Sequence, residues 1–146
     1  MSDGLDTRYL ETLLGYNTRR AALTIISRFM ERMAAYDLRP VDFSVLSLIG
    51  HNPGITSRQL CSALGILPPN LVGLLKSIEK RQLIRRSPHP TDGRAMGLSL
   101  TDKGAALMQE AEAMALASDV SAAGALNSKE IKTLIGLLQK IYLSPT

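Results

Sequence analysis

Apolar residues along this chain recur at spacings of three and four, then of two, then of three and four again, and these changes divide it into elements. In the first long segment, Leu5 to about Tyr36, the positions Leu23, Ile26, Met30 and Met33 share a face with Phe29, which predicts an amphipathic helix. Arg39-Pro40 interrupts it, and Val41, Val45, Leu48 and Ile49 restart a shorter helix that HNPG at 51–54 ends. In ITSRQLCSALG, Thr56 can cap a helix over 56–64, Gln59 can complete a capping box, and Gly65 suits a left-handed exit. Pro68 and Pro69 fit the first turn of the next helix, where a missing N–H costs little, and Leu71, Leu74, Leu75 and Ile78 form its buried stripe. Two short helices around a tight, glycine-containing turn have the form of a helix-turn-helix.

Beyond Leu83 the period drops to two. Ile84 to Ser87 reads as a strand, HPTDG as a turn, and Met96, Leu98 and Leu100 as the inward face of a returning strand. One hairpin is marginal alone, so this face is expected to lean on the preceding helices. Thr101 and Asp102 then start a long helix running to about Ala123, the run Ala122 to Ala125 makes a corner, and a last helix starts at Asn127 or Ser128.

The last helix carries Ile131, Leu134, Ile135, Leu138, Ile141 and Tyr142 on one side, and the first segment adds Leu10 and Leu13 to a similar surface. Apolar faces at both ends of a small chain need cover. A symmetric dimer supplies it by packing the ends of two copies together; packing within one helical monomer is the alternative.

At 146 residues and 45% apolar, the chain is the size of one core-bearing domain, with an appended arm at most. It has no run of about 18 apolar residues of the kind that spans a membrane. MSDGLDTRYLE carries acids where a secretory signal has cations, so a cytoplasmic protein with no membrane partner is expected. A single Cys61 makes no internal disulfide, and His51 and His89 lack zinc-ligand spacing, so no metal and no cofactor is expected. Cys61 lies between Leu60 and Leu64 and reads as a small buried residue, with a redox role as the alternative. There is no GxSxG, HExxH, P-loop or dinucleotide fingerprint, hence no catalytic residue to name and no enzyme expected. The charge is focused: Lys76 to Arg94 holds six cations against two acids, a surplus equal to the whole chain's +4. Such a patch attracts polyanions through counterion release, although a solvated helix face followed by a basic loop has the same composition.

The order of elements, with GILPPNLVGLLKSIEKRQLIRR followed by HPTDGRAMGLSLTDKG, resembles the MarR family of bacterial winged-helix regulators over nearly the whole chain. The likeness is most specific at the hairpin and its exit. There the family's Asp, one residue, Arg, Ala, alternating strand, Leu-Thr and basic-Gly pair match Asp92, Arg94, Ala95, Leu100-Thr101 and Lys103-Gly104. The resemblance implies a mainly α fold with a small β-hairpin wing: a winged helix-turn-helix over 39–104 intertwined with a helical dimerisation region at 1–38 and 105–146. It implies a homodimeric transcription regulator, usually a repressor, bound to a pseudo-palindromic operator in double-stranded DNA.

On that resemblance the helix at 68–80 enters the major groove and Arg94 at the wing tip reaches the minor groove. Ser57, Arg58, Lys76 and Lys80 are expected on phosphates, with Arg86 in the same DNA-binding set. Asp92 is expected to hold the wing by pairing with Arg85 or Arg86. Where family members often place Ser, Thr and Arg along the recognition helix, this chain has Leu67, Pro69, Asn70 and Gly73, so hydrogen-bonded readout should be sparse. Asn70 suits adenine, and equally suits a capping role beside the prolines. Gly93 replaces a common wing arginine.

MarR-like dimers commonly respond to small aromatic acids or phenols. Tyr16, Arg19, Arg20 and Tyr36, with His51 nearby in the pattern, are the candidate effector-binding residues; surface charges and a plain helix-end histidine are the alternatives. A different class remains open as well: a winged-helix module that binds another protein and reads no DNA sequence.

Overall fold

The structure, a computed structural model, describes residues 4–91 and 93–143; the expected Asp92 pairing lies outside the described residues. Helix α1 spans Leu14–Met33, α2 Pro40–His51, α3 Ser57–Leu64 and α4 Pro68–Lys80, followed by strands β1 (Ile84–Pro88) and β2 (Met96–Leu100), then α5 (Asp102–Ala122) and α6 (Ser128–Tyr142).

The first segment is not one helix from Leu5 to Tyr36. A 3-10 turn at Leu10–Thr12 is separated from α1 by Leu13, whose backbone is extended. The Asn17 side chain donates to the Glu11 and Leu13 carbonyls at 2.9 and 2.8 Å, which satisfies this break. Apolar spacing that begins at Leu23 carries no information about such a polar clasp. At the other end, a second 3-10 turn closes at Asp37, which is left-handed (φ 52°).

Local chemistry sets the next two starts. Asp42 accepts from the Arg39 backbone N–H and, in a two-pronged pair, from its guanidinium, each at 3.0 Å. The hydrogen bonds and the charge of Asp42 raise the Arg39 pKa above its ordinary value. Thr56 Oγ1 accepts from the Gln59 N–H at 3.2 Å while Gln59 Oε1 accepts from the Thr56 N–H at 3.0 Å, completing the capping box. Gly65 takes the left-handed exit at φ 64°, and α3 and α4 are bent by 115° at their junction, within the range of a helix-turn-helix.

In the hairpin Ile84 faces Leu100, Arg86 faces Leu98 and Pro88 faces Met96. A third segment joins it. Leu98 donates to the Ile55 carbonyl at 2.9 Å and accepts from the Gly54 N–H at 2.8 Å. Leu98 is fully buried, but Met96 is 43% exposed, which corrects the expectation that Met96, Leu98 and Leu100 share one covered face. Met96 pairs at the loop end of the ribbon, beyond the Ile55 bridge. Gly97 is close-packed: a Cβ there would stand 3.0 Å from the Gly54 carbonyl oxygen.

The exit signature Leu-Thr-Asp-Lys-Gly is structural. Thr101 Oγ1 donates to the Gln82 carbonyl at 2.6 Å and accepts from the Gly104 N–H at 3.0 Å, and Lys103 Nζ donates to the Arg81 carbonyl at 3.2 Å. A Cβ on Gly104 would run into the Leu83 carbonyl. Together these contacts fasten the start of α5 to the turn between α4 and β1.

The chain divides into two compact units, Met1–Arg28 with Ala117–Thr146, and Phe29–Leu116. The whole buried hydrophobic core, from Met33 through Val45, Leu60, Leu71, Ile78 and Leu98 to Ala111, belongs to the second. Each fully buried aliphatic side chain contributes about 1.5–3 kcal/mol. Phe29 and Phe43 meet edge to face at 5.2 Å on its margin. In the first unit Ser118 alone is buried among the described residues. Its α6 is capped by Asn127 and Glu130 in a second capping box.

Candidate nucleic-acid interface

Helix α4 buries Leu71, Leu74, Leu75 and Ile78 against the core, which turns Pro69, Gly73, Lys76 and Lys80 to the opposite, exposed side. Val72 flanks that side on one edge and Asn70 and Ser77 on the other, all exposed. Leu67, just before the helix, is 68% exposed and Val72 52%. The first two turns therefore present an uncharged, largely apolar surface, with cations beginning one turn later. Gly73 is helical, yet a Cβ there would meet nothing within 4 Å. Glycine inside a helix costs about 1 kcal/mol relative to alanine, and no packing within this chain requires it at 73.

Beside α4, the start of α3 and the wing enclose a second feature. Thr56, Ser57, Arg58, Arg86, Arg94, Ala95 and Met96 line one concavity of about 510 Å³. Three guanidinium-bearing residues thus converge next to a helix N-terminus, whose free N–H groups and dipole also favour anions.

The basic segment is less free than its composition suggests. Arg86 Nε donates to Glu79 Oε2 at 2.7 Å, a partner the sequence reading did not name. Arg81 reaches back to the Asp37 and Tyr36 carbonyls at 2.8 and 3.0 Å, tying the end of α4 to the connection before α2. Lys76, Lys80, Arg85 and Arg94 stay exposed. Arg85 sits opposite Ser99 on the ribbon. Glu79 was findable as an acid within the basic segment, seven residues before Arg86; the Arg81 contacts were not, because its partners lie 44 and 45 residues away.

The MarR family model matches residues 36–95. A solved structure of the transcriptional repressor CouR bound to a 23-mer DNA duplex is 34% identical, with 95% of this chain and 99% of that one covered and a TM-score of 0.88. This chain belongs to the MarR family. The transcriptional regulatory protein assigned to the hcr operon of Thauera aromatica is 28% identical to this MarR-family chain over 130 residues, 88% of this chain and 78% of that protein. CouR from Rhodococcus jostii RHA1, solved bound to p-coumaroyl-CoA, shares the fold at 23% identity and a TM-score of 0.82, over 91% of this chain and 94% of that one. The winged-helix fold read from the sequence is thus the fold of MarR structures, and the family is one of DNA-binding transcription regulators rather than enzymes. No single helix among the described residues is long and apolar enough to cross a membrane.

The other named positions fall in both units of this MarR-family protein. Tyr16, half-buried, and the exposed Arg19 and Arg20 lie in the first unit; Tyr36 and His51 lie in the second. His51 is occupied: Nε2 stands 3.0 Å from each carboxylate oxygen of Glu112, which also accepts from Ser47 Oγ at 3.2 Å. Cys61 is half-buried and lines, with Pro68, Val72 and Leu75, a small apolar cleft of about 280 Å³ between α3 and α4. On the first unit Leu10, Leu13, Leu134, Ile135, Leu138, Ile141 and Tyr142 are exposed and Ile131 is half-buried.

Proposed function

We propose that this protein is an operator-binding repressor that acts as a homodimer and is released by a small aromatic acid, its thioester or a phenol. The observation that carries the DNA-binding reading is the convergence of Arg58, Arg86 and Arg94 on one concavity at the α3 N-terminus, beside the exposed side of α4. In this reading Ser57, Arg58, Lys76, Lys80 and Arg86 hold phosphates, Pro69, Asn70 and Gly73 face base edges, and Arg94 enters the minor groove. Arg85, with Asp92, steadies the wing. Support for the dimer comes from the uncovered apolar side chains of the first unit, Leu134, Ile135, Leu138 and Ile141 among them. Two copies place two α4 helices on successive major grooves of a pseudo-palindrome.

Repression is supported by the 34%-identical DNA-bound relative, which is a repressor. The effector class is supported by relatives solved with p-coumaroyl-CoA and p-aminosalicylic acid. Tyr16, Arg19, Arg20, Tyr36 and His51 remain its candidate contacts. A ligand that binds better to a spacing unsuited to DNA shifts the dimer off its operator.

Fluorescence anisotropy with the DNA flanking the gene, at several salt concentrations, tests this. Wild type should bind with a steep salt slope, and Arg94→Ala should lose about tenfold in affinity and lower the slope by roughly one per bound protomer. Affinity no greater than for unrelated DNA, across the flanking fragments, would favour a protein-binding module instead.

A further inference from the structure

Three glycines of the DNA-binding unit differ in what makes them glycine. Gly97 and Gly104 are pressed against the backbone at Gly54 and Leu83, so a side chain would collide within the protein. Gly73 has open space around the place a Cβ would fill, lies in the second turn of an α-helix, and is exposed. Nothing in its own chain accounts for a residue that weakens its helix. It stands at the centre of the side of α4 that carries Lys76 and Lys80, with Pro69 one turn before it and Val72 adjoining.

A helix whose outward centre holds a proline ring and no side chain at all can lie deeper in a major groove than one bearing long side chains there. What it then presents to base edges is the exposed Val72 and Leu67 and the Pro69 ring, with Asn70 as the hydrogen-bonding group. The only apolar group that base pairs show in the major groove is the thymine C5-methyl, and no Arg or Lys stands in the first two turns to address guanine. The charge needed to hold such a close approach is supplied by Lys76 and Lys80, further along the same side of α4, and by Arg58 on α3.

We propose that α4 reads its operator by close apolar apposition to thymine methyl groups, with Gly73 as the point of closest approach and Pro69 and Val72 as the methyl-contacting residues. This rests on the operator-binding reading above.

The test begins with selection of duplexes from a randomised library by the intact protein. The half-site core of the recovered duplex should be rich in A·T pairs. Replacing its thymines by deoxyuridine removes only the methyl groups and should weaken wild-type binding by about fourfold for each methyl buried. Gly73→Ala should melt at a higher temperature than wild type and yet bind the selected duplex at least about tenfold more weakly. The deoxyuridine effect should shrink in this variant. A purely structural role for Gly73 would not move melting and affinity in opposite directions. A half-site core led by guanine, an unchanged affinity of Gly73→Ala, or indifference to deoxyuridine would each overturn the proposal while leaving operator binding intact. Recovery of no preferred duplex would overturn both.

Discussion

The two units of this chain solve the problem of apolar surface in opposite ways. Residues 29–116 enclose theirs: helices α2 to α4, the ribbon and the first part of α5 surround one core in which Leu46, Leu60, Leu71, Leu75 and Leu98 are all but fully covered. Residues 1–28 and 117–146 display theirs, with Leu14, Leu134, Ile135, Leu137, Ile141 and Tyr142 all exposed. Residues 29–116 hold a covered core; the terminal unit leaves its large apolar side chains uncovered in the single chain.

The largest effect on stability is expected in the core of residues 29–116. Leu71→Ala should destabilise the protein by about 3 kcal/mol, since it removes a buried side chain and leaves a cavity. Urea denaturation should show that loss at every protein concentration. A loss that vanished on dilution would mean the core depends on a second copy. The smallest effect is expected at the end of α4. Gln82 ends α4 in the left-handed region at φ 62°, where glycine is unstrained. Gln82→Gly should therefore raise stability by roughly 0.5–1 kcal/mol with operator affinity unchanged; a lower melting temperature would show that the Gln82 side chain has a role of its own.

Legibility in the sequence followed the same boundary. Where short-range chemistry decides the structure it was readable: the Thr56/Gln59 box, the Gly65 exit, the prolines opening α4, and the Thr101 start of α5 all act over a few residues. Misses came where an element depends on something distant or on a polar detail. The first segment breaks at Leu13, where the Asn17 side chain turns back on the Glu11 and Leu13 carbonyls. The cover expected over Met96 is missing because Ile55, an added partner of the ribbon with no strand signal of its own, pairs only at Leu98. Of the six cations counted as one patch, Arg81 is held by a carbonyl pair that fastens α4 to the connection before α2, which charge counting does not foresee.

In the proposed repressor the terminal unit joins two copies, and operator binding requires the join. Sedimentation of the double variant Ile135→Asp/Leu138→Asp, with and without the operator duplex, tests it most directly. Both side chains are already exposed in the single chain, at 48% and 36%, so folding of the DNA-binding unit should survive. The expected result is a cooperatively folded monomer whose operator affinity falls by more than about a hundredfold, because each half-site must then be held alone. A variant that still sediments as a dimer, or a monomer that keeps wild-type affinity, would contradict it.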